Sequence, residues 1–208
     1  MFLNMARDFL NIAETEEELA ERKRIFKSMS VHSADPTFVD KHCGRYPVIY
    51  LRLREVRPVT LDDFRLDMAS AIFTAIDEWC HAISDTSKAE LNFTRDWLNQ
   101  MKSNMRNSIN DSVELLAGLV DYLSEYYNAK CIVLVDDFDA PVRKAADNTR
   151  EEVKRYMRRL LSPLAKDNDN VRKLIMAGID AVNLDTSGSS LNNCKWYPLH
   201  EDSDRSRE

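Results

Sequence analysis

Two adjacent carboxylates, Asp136 and Asp137, end the most apolar segment of this chain, Cys131-Ile132-Val133-Leu134-Val135. Neighbouring carboxylates at the point where a buried strand leaves its sheet can divide two tasks. One holds a divalent cation, and the other orients or polarises an attacking water. Adjacency suits both tasks, because the backbone turns there and directs successive side chains differently. The same pattern also arises where a buried strand simply ends in an acidic turn. Asp139-Ala140-Pro141, a turn followed by a helix start, fits either origin. Other chemistry finds less support. His32, His42, His81 and His200 lack metal-ligand spacing, and no Ser/His/Asp or Cys/His arrangement stands out. Cys43, Cys80, Cys131 and Cys194 form no CxxC pair. Cys131 opens an apolar strand, where a reduced thiol packs as a small hydrophobe, so a reducing, cytoplasmic setting is expected.

The acidic pair needs a sheet behind it, and the sequence supplies strands alternating with long helices. Tyr46-Pro47-Val48-Ile49-Tyr50-Leu51-Arg52-Leu53-Arg54 predicts a strand whose first half is apolar on both faces. Pro58 and Thr60 end it and cap a helix over about 61–83, with Asp62 and Asp63 in the first turn. Helices are expected at about 1–12, 15–29, 87–106, 111–127 and 149–165, and a strand at 172–177, with a loop around Ser33, Asp35 and Pro36. Such alternation implies a mainly parallel sheet with helices on its faces, and ligands bind beyond the carboxyl ends of its strands. Asp136–Asp139 lies at such an end.

With 208 residues, 44% hydrophobic and 31% charged, the chain is long enough for one substantial domain, taken as 1–200, with a polar tail at 201–208. Four glycines leave no room for a Gly-rich cofactor loop, and a net charge of −6 does not support nucleic acid as a partner. No apolar run approaches the roughly 20 residues of a membrane span, so membrane association is not expected. Basic residues are concentrated in three places. Lys154, Arg155, Arg158 and Arg159 suit either a solvated face paired with Glu151 and Glu152 or a partner-binding face. Arg143 and Lys144 can balance Asp136–Asp139 or meet a phosphate. Arg52, Arg54 and Arg57 close the first predicted strand.

Several segments, taken in order, resemble the predicted AAA-ATPase-like family of P-loop NTPases. Tyr46-Pro47-Val48-Ile49-Tyr50-Leu51 is similar to that family's second strand, and Val133-Leu134-Val135-Asp136-Asp137-Phe138-Asp139-Ala140-Pro141 to its Walker B block. Leu174-Ile175-Met176-Ala177-Gly178-Ile179 resembles the next strand, and Ser189-Ser190-Leu191-Asn192-Asn193 a later Ser-Gly-Leu-Asn-Asn element. Phe2-Leu3-Asn4-Met5-Ala6-Arg7-Asp8-Phe9-Leu10 resembles the helix that follows the phosphate-binding loop.

The resemblance implies a three-layer α/β fold, a P-loop NTPase-like parallel sheet with flanking helices, its first strand and P-loop absent from these residues. It implies Mg²⁺ and ATP as cofactors, Asp136 as the Mg²⁺ residue, Asp137 as the residue that orients the lytic water, and Asn192 and Asn193 beside the nucleotide. No GxxxxGK[ST] occurs in the 208 residues, and that loop supplies the phosphate cradle. Asp137 stands where the family has glutamate, Ala177 where it has threonine and Ser190 where it has glycine. Withdrawing a reacting carboxylate by about 1 Å can cost on the order of a hundredfold in rate. Two functions are therefore expected to compete: part of a MgATP-hydrolysing domain that turns over poorly alone, and a catalytically silent module bound to a protein partner. A third resemblance, to the first strand of a phospho-receiver domain, requires a later strand ending in Lys, and the segment after Asp139 ends its next strand in Met176-Ala177-Gly178.

Overall fold

The computed structural model describes residues 2–84, 109–166 and 168–180, together with 182, 194, 195 and 197. Within these residues the chain runs α1 (Phe2–Leu10), α2 (Glu16–Lys27), α3 (Ser30–Ala34), α4 (Phe38–His42), β1 (Val48–Arg52) and α5 (Leu61–Ser84). It continues with α6 (Ile109–Tyr127), β2 (Cys131–Asp136), α7 (Ala140–Lys144), α8 (Arg150–Ala165) and β3 (Val171–Met176). The helix expected at 87–106 lies outside the described residues, as do Asn192 and Asn193. The stretch around Ser33 and Asp35 is not the plain loop expected from Pro36. Ser33 sits in α3, a single short turn of helix that stops at Asp35 before the proline.

The three strands form a parallel sheet in the order β1-β2-β3, so the segment bearing the acidic pair is the central strand. A central parallel strand is buried on both faces, which is why Cys131–Val135 contains no polar residue. Its alternate residues enter separate cores. Cys131, Val133 and Val135 join the larger core, built with Ile49 and Leu51 of β1 against Met68, Ile72 and Ile76 of α5, Leu119 and Leu123 of α6, and Met157 and Leu161 of α8. Ile132 and Leu134 join Val48 and Tyr50 on the opposite face, where Leu3 of α1 covers them. The fold is thus α/β, a three-stranded parallel sheet flanked by helices on both faces. A third cluster of Phe9, Phe26, Val39 and Cys43 ties α1 to α2 and α4.

Helix starts follow the caps that the sequence offers. Thr60 Oγ1 accepts from the Asp63 amide at 3.1 Å and donates to the Asp63 carboxylate at 2.7 Å, fixing the entry to α5. Thr15 Oγ1 accepts from the Glu18 amide at 3.1 Å, with Glu16, Glu17 and Glu18 in the first turn of α2 and Arg24 and Lys27 in its last. No described helix is long and apolar enough to cross a membrane.

Candidate functional site

The carboxyl end of β2 is held from both sides. Arg52 of β1 lies opposite Asp136, and the Leu53 amide donates to the Asp136 carbonyl at 3.0 Å. On the other side, the Ala177 amide donates to the Val135 carbonyl at 2.9 Å, and the Phe138 amide donates to the Ala177 carbonyl at 3.0 Å. The exits of all three strands therefore converge on the Asp136–Asp139 turn. Ala177 brings backbone contacts and no hydroxyl to this turn.

Asp136 is half-buried, and one of its oxygens, Oδ2, accepts from the Tyr50 hydroxyl at 2.7 Å. Strand periodicity explains the meeting, because Tyr50 and Arg52 share a face of β1 and Leu134 and Asp136 share the same face of β2. That is the α1 face. Arg7 of α1 and Arg52 place their guanidinium carbons 5.6 and 5.2 Å from the centroid of the Tyr50 ring. The same two arginines reach the Glu78 carboxylate of α5 at 3.3 and 2.9 Å. Burial, reinforced by the hydrogen bond to Asp136 and by its charge, pushes the Tyr50 hydroxyl well above the usual tyrosine range. Tyr50 therefore remains a proton donor to Asp136 under physiological conditions.

Asp137 leaves the strand in a left-handed conformation with φ 52°, and its carbonyl accepts from the Ala140 amide at 2.9 Å. Aspartate tolerates this region better than most residues, yet the conformation carries strain. It breaks the alternation of β2 directly after Asp136, as the two-task division of adjacent carboxylates requires.

Asp139 is wholly enclosed, at 0% exposure. Its Oδ2 accepts from Arg143 Nε at 3.1 Å and from the Asp180 amide at 3.3 Å, and Arg143 also approaches the Asp180 carboxylate at 3.6 Å. Its Oδ1 is buried without a hydrogen-bond partner among the described residues and lies against Gly178. A Cβ on Gly178 would stand 2.4 Å from that oxygen and 2.8 Å from the Phe138 ring, so only glycine fits this approach.

These contacts settle part of the expectation for the basic residues. Arg143 balances Asp139, and Lys144 Nζ donates to the Arg54 carbonyl. Lys154 pairs with Glu151 at 2.7 Å and Arg155 with Glu152 at 3.1 Å, as the solvated-face expectation requires. Arg52, at the end of β1, is exposed and is also engaged twice, with Glu78 and with Tyr50. Cys131 is the buried thiol anticipated, and burial pushes its pKa up to about 12. Among the described residues, no group of three or more His, Cys, Asp or Glu is placed to hold a metal unaided.

Mg²⁺ does not need such a group. It is held through one or two carboxylates, with water and substrate phosphate completing the octahedron. A half-buried carboxylate beside a second one at the sheet's carboxyl end is a donor set of that kind, and Asp136 and Asp137 fit it. Asp139, with its charge engaged by Arg143 and its space closed by Gly178, does not. Sequence reading singled out Asp136 and Asp137 but missed Tyr50, Arg7 and Glu78. The available signal was a tyrosine inside an otherwise apolar strand, two residues before the register partner of Asp136.

No curated protein and no solved structure matches the chain. The family described as Predicted AAA-ATPase matches residues 1–186, which include every described strand, the acidic turn and the Arg7–Glu78–Arg52 bridge. The chain belongs to the AAA-ATPase-like family.

Proposed function

We propose that this chain carries the Mg²⁺-binding part of an ATP site, with Asp136 holding the ion and Asp137 orienting the water that attacks the γ-phosphate. The observation that supports this most is the difference between the acidic residues: Asp136 and Asp137 are partly accessible at the mouth of the central strand, whereas Asp139 is sealed. When bound, Mg²⁺ neutralises charge on the phosphate oxygens. Tyr50 fixes one oxygen of Asp136 and leaves the other directed to ligand or water. Asp137 acts as hydrogen-bond acceptor for the lytic water, and the family resemblance assigns Asn192 and Asn193, which lie outside the described residues, to nucleotide binding.

The 208 residues contain no GxxxxGK[ST], so the grip on ATP by this chain is weak and its turnover slow. Titrating a fluorescent ATP analogue with and without Mg²⁺ tests the proposal. Weak binding that requires Mg²⁺ and disappears in Asp136→Ala is expected. Binding indifferent to Mg²⁺, or retained in Asp136→Ala, contradicts it. A second reading, a silent module that binds a protein partner, is favoured by Ala177, which brings no hydroxyl to the site. Complete absence of MgATP binding at millimolar concentration would select that reading.

A further inference from the structure

We infer that Tyr50 is the positioning residue for the Asp136 carboxylate, and that the Arg7–Glu78–Arg52 bridge holds Tyr50 in place. This rests on the proposal that Asp136 binds Mg²⁺ with ATP. A carboxylate at a strand end has free rotation about its last bond, and a hydrogen bond from a buried donor removes it. Tyr50 is such a donor, 4% exposed, with its ring packed in the α1-side core and its hydroxyl 2.7 Å from Asp136 Oδ2. Two guanidinium groups from different elements, α1 and β1, in turn lie within 5.6 and 5.2 Å of the ring centroid.

Glu78 explains why both arginines stay there. Its carboxylate, on α5, accepts from Arg52 at 2.9 Å and pairs with Arg7 at 3.3 Å, so one anion fixes two cations over one ring. The side chains of Arg7, Arg52 and Glu78 are one-third to one-half exposed, at 33%, 54% and 36%. Ion pairs this exposed add little to stability, being screened by solvent. Their consistent convergence on Tyr50 is better accounted for as orientation. Partners that orient a metal-binding carboxylate typically change metal affinity by 10- to 100-fold when lost.

The test uses the whole chain and two probes. Mn²⁺ with ATP, followed by electron paramagnetic resonance of the free ion, reports metal affinity. Carbon-13 NMR of the Asp136 carboxyl group, without nucleotide, reports its environment. Tyr50→Phe keeps the ring and removes only the hydroxyl. It is expected to weaken Mn²⁺ binding about tenfold, shift the Asp136 resonance and leave the melting temperature nearly unchanged. Glu78→Gln is expected to show a weaker form of the same pattern. An unmoved Asp136 resonance, or Mn²⁺ affinity unchanged in Tyr50→Phe, overturns the inference while leaving Mg²⁺ binding at Asp136 intact. Wild-type chain that fails to bind Mn²⁺ with ATP overturns the proposed function and this inference together.

Discussion

Asp136 and Asp139 are three residues apart on one turn, and the fold uses them in opposite ways. Asp136 faces the α1 side, half-buried, with one oxygen fixed by Tyr50. Asp139 faces β3, fully enclosed, with its charge met by Arg143 and the Asp180 amide and its second oxygen pressed against Gly178. A carboxylate committed to structure is sealed and neutralised. Asp136 is instead oriented by Tyr50 and left partly open. The comparison teaches that acidic residues clustered in sequence need not form one acidic site.

The largest expected effect is global and alkaline. Burial raises the pKa of Tyr127 and Cys131 to about 12 and raises Tyr50 further, so the folded chain keeps protons that the unfolded chain gives up above about pH 9–10. The unfolded state then binds fewer protons than the folded one, and stability falls as pH rises. Denaturant melts are expected to show a flat midpoint near neutrality and a steep loss between about pH 9 and 12. Tyr127 and Cys131 belong to the larger core and Tyr50 to the α1 side, so both faces of the sheet are expected to loosen in alkali.

Next in size is the glycine that closes the Asp139 side. Gly178→Ala forces a methyl against a buried carboxylate oxygen and an aromatic ring, and is expected to destabilise by about 2–3 kcal/mol in chemical melts. A loss under about 0.5 kcal/mol would mean that the β3 exit is not packed as described. Smaller, and of opposite sign, is Asp137→Gly. Glycine adopts φ 52° without strain, so the variant is expected to gain about 0.5–1 kcal/mol while losing whatever turnover Asp137 supports. A stabilised but inactive variant is the usual sign of a residue kept for chemistry.

Much of this architecture was legible in the sequence. The apolar run Cys131–Val135 marked a strand buried on both faces, and it is the central strand. Thr60 with Asp62 and Asp63 marked the start of α5, because a hydroxyl followed by carboxylates satisfies the first free amides of a helix. The acidic turn was visible because Asp136 and Asp137 directly follow that apolar run. What stayed hidden depended on register. Nothing in the residues alone places Tyr50 beside Asp136, 86 positions away, or brings Arg7 and Arg52 to the same carboxylate. The sealing of Asp139 was equally invisible, since it requires knowing that Gly178, just past the end of β3, approaches it. Short helices at α3 and α4 escaped notice because a turn or two of helix leaves too little periodicity to read.

Asp136→Asn and Asp139→Asn, compared side by side, test the central claim most directly. Calorimetric titration with MgATP measures binding, and urea melts measure stability. The account predicts that Asp136→Asn abolishes Mg²⁺-dependent binding and changes stability by less than about 0.5 kcal/mol. It predicts that Asp139→Asn costs about 1–2 kcal/mol of stability, because a charge-assisted bond to Arg143 is lost, while Mg²⁺-dependent binding survives in the folded fraction. Binding lost equally in both variants, or abolished only in Asp139→Asn, would contradict the division between the two carboxylates.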